Sequence, residues 1–86
     1  MYVILVYDMG EKRVAKMLKL CRRYLNWIQN SVFEGEISEG RLKKLKFEAD
    51  EIMEDKDSLI IFTSKVNHGL HKEVIGCERQ TIDQFL

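Results

Sequence analysis

Proline is absent from this chain of 86 residues, and cysteine occurs only twice. Without proline there is no proline-rich docking segment and no stiff linker. Cys21 and Cys77 are too few for a disulfide scaffold, which points to a reducing, cytoplasmic compartment. No stretch approaches the roughly 18 apolar residues of a membrane span, so no membrane partner is expected. The longest apolar run, Tyr2 to Tyr7, is short for a leader core and has no basic segment before it. Internal repeats, low-complexity tracts and glycine-rich phosphate loops are missing as well. Net charge is also lacking, with 14 Lys plus Arg against 14 Asp plus Glu.

What is present is ordinary globular composition, 45% apolar and 33% charged, which excludes a disordered tail or a collagen-like rod. The length allows a single domain, residues 1–86. A chain this short buries only about 60–65% of its unfolded surface, so its core is thin and self-association would help. The neutral sum hides a division. Met1 to Phe33 carries six basic residues and two acids, whereas Glu34 to Asp57 carries nine acids and five bases. A basic front of this kind suits an anionic partner.

Tyr2-Val3-Ile4-Leu5-Val6-Tyr7 reads as a strand covered on both faces, hence central. Asp8-Met9-Gly10 breaks it. A helix is predicted over Glu11 to Leu25, with Val14, Met17, Leu18, Cys21 and Leu25 as its apolar stripe. Trp27 to Ile37 is strand-like and reads as a hairpin turning near Asn30, or as one bent strand. Ser38 is positioned to cap a second helix that runs to Met53, with Leu42, Leu45, Ala49, Ile52 and Met53 inward. Lys44 with Glu48, and Lys46 with Asp50, have the spacing of local ion pairs. Leu59 to Thr63 is a buried-type strand, Asn67-His68-Gly69 a turn, and Lys72 to Ile75 a short strand. The order is βαββαβ plus a short C-terminal strand. This is an α+β, ferredoxin-like arrangement with two helices on one sheet face. The other face is then bare, and a second copy of the chain is its expected cover.

Several residues could carry chemistry. Asp8 ends the first strand, and with Glu11 it has the spacing of a capping box. Position alone favours that cap. The competing role is a metal carboxylate, since Mg²⁺ takes one or two protein carboxylates and keeps water or phosphate for the rest. One Asp8 is thin for that, whereas two across a two-fold axis would serve. Lys12, Arg13, Lys16, Lys19, Arg22 and Arg23 stand on the first helix with no acid between them, a surface suited to a nucleic-acid backbone read without base specificity. Most charged helix faces are simply solvated, and this is the plain alternative. Tyr7, Tyr24, Trp27 and Phe33 could stack bases, although core packing is the expectation for most of them, with Trp27 or Phe33 exposed. Phe33-Glu34-Gly35-Glu36 does not match the aromatic motif of RNA-recognition modules. His68, His71 and Cys77 lack a fourth ligand for zinc and read as a solvated turn region. Ser31 and Ser64 have no triad partners nearby in sequence.

Three stretches together resemble the CRISPR-associated protein 2 family, the small subunit of the spacer-acquisition machinery. They are Tyr2-Val3-Ile4-Leu5-Val6-Tyr7-Asp8, Arg13-Val14-Ala15-Lys16, and, most specifically, Trp27-Ile28-Gln29-Asn30-Ser31-Val32-Phe33-Glu34-Gly35-Glu36. Val74-Ile75-Gly76 adds to the match. The resemblance implies a homodimer of ferredoxin-like subunits in which the C-terminal segment, residues 71–86, packs toward the partner. It implies that Asp8, paired across the interface, holds Mg²⁺, with Mn²⁺ as a substitute. Tyr7, Arg13 and Phe33 match positions tied to activity in the family. Some members carry arginine where this chain has Trp27, and that departs from any cationic role there.

The activity implied is metal-dependent endonuclease cleavage of phosphodiester bonds in RNA or duplex DNA. A second implied role is bridging two integrase dimers during spacer integration. Two other readings stand beside these. One is a non-catalytic DNA clamp with Asp8 as a helix cap, and the other is a toxin-like ribonuclease on the same fold.

Overall fold

A computed structural model describes residues 1–66 and 69–77. The elements are β1 (Tyr2–Asp8), α1 (Glu11–Arg22), β2 (Asn26–Gln29), β3 (Val32–Glu36), α2 (Glu39–Ile52), β4 (Ser58–Lys65) and β5 (Gly69–Gly76). They form one antiparallel sheet in the order β2-β3-β1-β4-β5. The first four strands have the ferredoxin-like order, and β5 extends the sheet beyond β4. The apolar segment Tyr2–Tyr7 is central, as its unbroken hydrophobicity requires.

Local chemistry accounts for most boundaries. Asn30 and Ser31 make a two-residue turn between β2 and β3, and Asn30 takes the left-handed φ of 45° that such turns favour. The hairpin is therefore real and the single bent strand is not. Its register is irregular between Trp27 and Gln29, which inserts a bulge at Ile28. Ser38 caps α2, its hydroxyl accepting from the Arg41 N–H at 3.2 Å. Helix α1 ends at Arg22, three residues short of Leu25, but Leu25 is buried all the same. Its N–H still bonds the Cys21 carbonyl at 2.8 Å, so one loose turn carries the apolar stripe past the regular helix.

Three expectations need correction. The α1 N-cap is Gly10, with no side-chain cap, so Asp8 does not cap the helix. Strand β5 has eight residues and pairs along its length with β4 of the same chain, so it is not a short appendage. The local pairs on α2 give way to tertiary ones. Lys46 bonds Glu73 of β5 at 2.9 Å, and Glu48 accepts from Tyr24 in the turn after α1 and pairs with Arg23 at 3.6 Å. The Asn67-His68 turn residues and the segment 78–86 lie outside the described residues.

Both helices cover one sheet face. Val3, Leu5, Tyr7, Phe33, Leu59 and Ile61 point under them and meet Met17, Leu20, Cys21, Leu42, Leu45 and Ala49. Strand alternation sends Ile4, Val6, Val32, Ile60, Phe62 and Val74 to the opposite face. Those six apolar side chains are only half-buried, and no element of the described chain covers them. An apolar strip of that extent on an open sheet face marks a docking surface.

Candidate functional site

Asp8 is the last residue of β1 and sits in register with Ser58 at the start of β4. It is exposed, and alternation puts it on the open face, in line with Ile4 and Val6. A carboxylate therefore stands at the rim of the uncovered apolar strip. Its position follows from the sequence: the apolar run keeps β1 in the sheet centre, and Met9-Gly10 then turns the chain into α1.

Behind this rim lies a buried carboxylate that sequence reasoning missed. Asp57 is 1% exposed and accepts four hydrogen bonds. Arg13 donates two, Nε to Oδ2 at 2.7 Å and Nη2 to Oδ1 at 2.8 Å. The backbone N–H groups of Glu54 and Gly10 donate the others at 2.8 and 3.2 Å. The Arg13 guanidinium, joined by those two amides, holds the Asp57 carboxyl well below the usual carboxylate range against the opposing effect of burial. Arg13 also pairs with Glu54 at 3.2 Å. The cluster ties the start of α1 to the loop before β4. The end of β5 joins it, since the Cys77 N–H donates to the Asp57 carbonyl at 2.9 Å. Gly76 sits there at φ 92°, and a Cβ would lie 2.3 Å from that carbonyl oxygen, so only glycine fits. In the sequence Asp57 is merely the last residue of an Asp-Lys-Asp turn. No local signal exposes it, because its partner is 44 positions away.

The remaining predicted site residues divide by location. Tyr7 and Phe33 are 3% and 0% exposed, on the helix side of the sheet, with ring centroids 6.1 Å apart. Among the described residues, the buried Tyr7 hydroxyl meets no partner at hydrogen-bond geometry. Burial and the nearby Cys21 push its phenol up, and the Ser31 side chain opposes them. Burial likewise pushes the Cys21 thiol up to about 12, so it stays protonated and inert. Neither aromatic ring is open to a substrate, and their contribution to the site is the floor beneath β1.

Lys12, Lys16, Lys19, Arg22 and Arg23 are all exposed on the outer side of α1. Arg13 is apart from them, turned inward to Asp57. Because α1 and Asp8 lie on opposite sides of the sheet, the helix cations and the carboxylate do not converge within one protomer. Tyr24, which receives Arg41 over its ring at 4.7 Å, is committed to the interface of the helices. Trp27, in contrast, is 50% exposed on the edge strand.

A hard divalent cation needs oxygen ligands, and Asp8 supplies oxygens of that kind. Among the described residues, no three His, Cys, Asp or Glu side chains gather into a metal-holding group. The donor set therefore fits Mg²⁺ or Mn²⁺ only where two copies of Asp8 meet. His71 and Cys77 form no such group, and His68 lies outside the described residues. A hollow of about 430 Å³ lined by Glu39, Lys43, Lys46, Thr63 and Lys65 lies at the other end of the sheet and takes no part in the rim.

Fold and rim together define a class: small ferredoxin-like domains with an added fifth strand, in which the central strand ends in an acid at an uncovered sheet face. The chain belongs to the family described as CRISPR associated protein Cas2, whose model matches residues 1–68. A curated relative from Thermotoga maritima, named CRISPR-associated endoribonuclease Cas2, is 48% identical over 80 residues, 92% of each chain. Another of that name from Dictyoglomus turgidum is 41% identical over the full length of both chains. Among solved structures, one described as the crystal structure of cas2 superposes with a TM-score of 0.73 at 41% identity, covering 95% of this chain and 93% of that one. The Streptococcus pyogenes Cas2 crystal structure gives 0.69 at 30% identity, covering 78% of this chain and 89% of the other.

Proposed function

We propose that this chain is a homodimeric, metal-dependent endoribonuclease of the CRISPR spacer-acquisition machinery. The observation that carries the reading is the place of Asp8 at the rim of the open apolar sheet face. A second copy covering that face buries the apolar strip, and two-fold symmetry then brings the twin carboxylates toward each other. The endoribonuclease names of the relatives support RNA as the substrate.

Asp8 from each copy would hold Mg²⁺ or Mn²⁺. Such an ion, when bound, activates water and stabilises charge on the phosphoryl oxygens. The chain's own residues supply the frame. Asp57 fixes the Gly10 amide two residues beyond Asp8 and locks Arg13 against it, so Arg13 acts as a positioning residue. Tyr7 and Phe33 hold β1 from below. The exposed cations of α1 hold a phosphate backbone electrostatically.

Cleavage of labelled single-stranded RNA and duplex DNA, with Mg²⁺ or with EDTA, tests the assignment. Wild type is expected to cut in Mg²⁺ and stop in EDTA. Asp8→Ala is expected to lose at least about a hundredfold in rate, on the order of 3 kcal/mol of transition-state stabilisation. Equal cleavage by both proteins would reveal a contaminating nuclease and remove Asp8 from the site.

A second role has its own observation. The basic face of α1 lies across the sheet from Asp8, where it is free to clamp DNA without taking part in cleavage. This arrangement supports a bridging function between two integrase dimers during spacer integration.

A further inference from the structure

We propose that Trp27 is a base-stacking platform for single-stranded nucleic acid whose phosphates run along α1. The inference deepens the backbone-binding reading of α1 and rests on it.

Four observations converge on this residue. Trp27 is a large aromatic left half-exposed on an edge strand, where core packing does not explain it. It pairs with Phe33 across β2 and β3, so its side chain lies on the same side of the sheet as α1. Its indole is already oriented, because Nε1–H donates to the Asn30 carbonyl at 2.9 Å and Asn30 is set by the tight turn. A pre-oriented ring loses little conformational freedom when a base lands on it. The guanidinium of Arg22 lies over one face of the ring, 6.0 Å from its centroid, so a base stacks on the opposite face with Arg22 at hand for a neighbouring phosphate. Lys12, Lys16 and Lys19 continue the cationic line along the helix. Glu48 of α2 takes up part of the charge of Arg23, so the weight falls on the other four.

The chemistry selects a single strand. An indole face accepts a base whose own faces are free, and stacking is tolerant of base identity. In a duplex those faces are occupied by neighbouring pairs, leaving only the phosphates for the helix. Trp27 thus separates single strands from duplexes at a surface distinct from the Asp8 rim.

Trp27 is the only tryptophan in the chain, so its fluorescence reports on this position alone. Wild type is titrated in EDTA with a labelled oligouridylate and with a duplex of equal length, reading label anisotropy and tryptophan emission together. Expected are quenching of Trp27 by the single strand but not by the duplex, and about a tenfold or greater loss of single-strand affinity in Trp27→Ala. Trp27→Tyr should retain most of that affinity, and duplex affinity should be unchanged in both variants. Binding with unaltered emission and unaltered affinity in Trp27→Ala would overturn the inference while leaving backbone binding intact. Absence of any anisotropy change in wild type would overturn both. Emission that changes with protein concentration rather than with oligonucleotide would assign the edge strand to a protein contact and overturn the stacking role. Because Trp27 is exposed, Trp27→Ala should melt close to wild type, which keeps an affinity loss interpretable.

Discussion

Asp8 and Asp57 show how two aspartates near each other in space take opposite roles by environment. Asp8 is exposed at a strand end. Asp57 is buried and saturated by four donors, and its ionised form is the one the fold requires. Its folded-state acidity is stronger than that of an unfolded aspartate. The stabilisation is therefore complete above the ordinary value of about 4 and is lost progressively as pH falls below it. In Asp57→Asn, thermal melts should show a midpoint lowered on the order of 10 °C at neutral pH, because Arg13 is left without its buried partner. The variant's midpoint should also change less than that of wild type on acidification from about pH 5 to about pH 3. A midpoint equal to wild type at neutral pH would show that the cluster contributes nothing. Asp8→Ala should leave the helix content read by circular dichroism unchanged, since α1 starts at Gly10 without a side-chain cap.

Among the elements, α1 carries the most distinct message. Its inner stripe, Met17, Leu20 and Cys21, is core, and its outer cations face away from the sheet. If α1 serves as a DNA clamp, Lys16→Glu with Lys19→Glu should reduce spacer acquisition in cells more than Asp8→Ala does. The pair should also flatten the dependence of DNA affinity on salt, since each lost phosphate contact lowers the slope by about one. Unchanged DNA binding in the double variant would count against the clamp. The β2–β3 hairpin is the second informative element. Its turn at Asn30 was legible because asparagine tolerates a left-handed φ, whereas the bulge at Ile28 has no sequence signature. Helix α2 shows the reverse case. Its cap at Ser38 and its inward stripe were legible, but its ion pairs were not, because Lys46 and Glu48 choose partners from other elements.

For the whole molecule, the open sheet face is the feature with the largest consequence. Ile4, Val6, Val32, Ile60, Phe62 and Val74 form one strip with Asp8 at its end. A chain with so thin a core gains from covering such a surface. Light scattering of wild type should give the mass of two copies, and Phe62→Glu on the strip should shift it to one while circular dichroism stays native. Nuclease activity should fall with the dimer if two copies of Asp8 are needed. A wild-type mass of one subunit at working concentration would remove the paired site.

The sequence by itself determined the element order, the central place of β1, the inward stripe of α2, that of α1 apart from the buried Leu20, and the separation of a basic helix from an acidic middle. These follow from apolar periodicity and turn chemistry, which act over a few residues. Only the tertiary structure decided that Asp8 does not cap α1 and lies across the sheet from the cations. The same holds for Arg13 turning inward to Asp57, and for Trp27 rather than Phe33 being the exposed ring of the hairpin. Those outcomes depend on sheet register and on contacts between residues tens of positions apart, and neither is encoded in any local window.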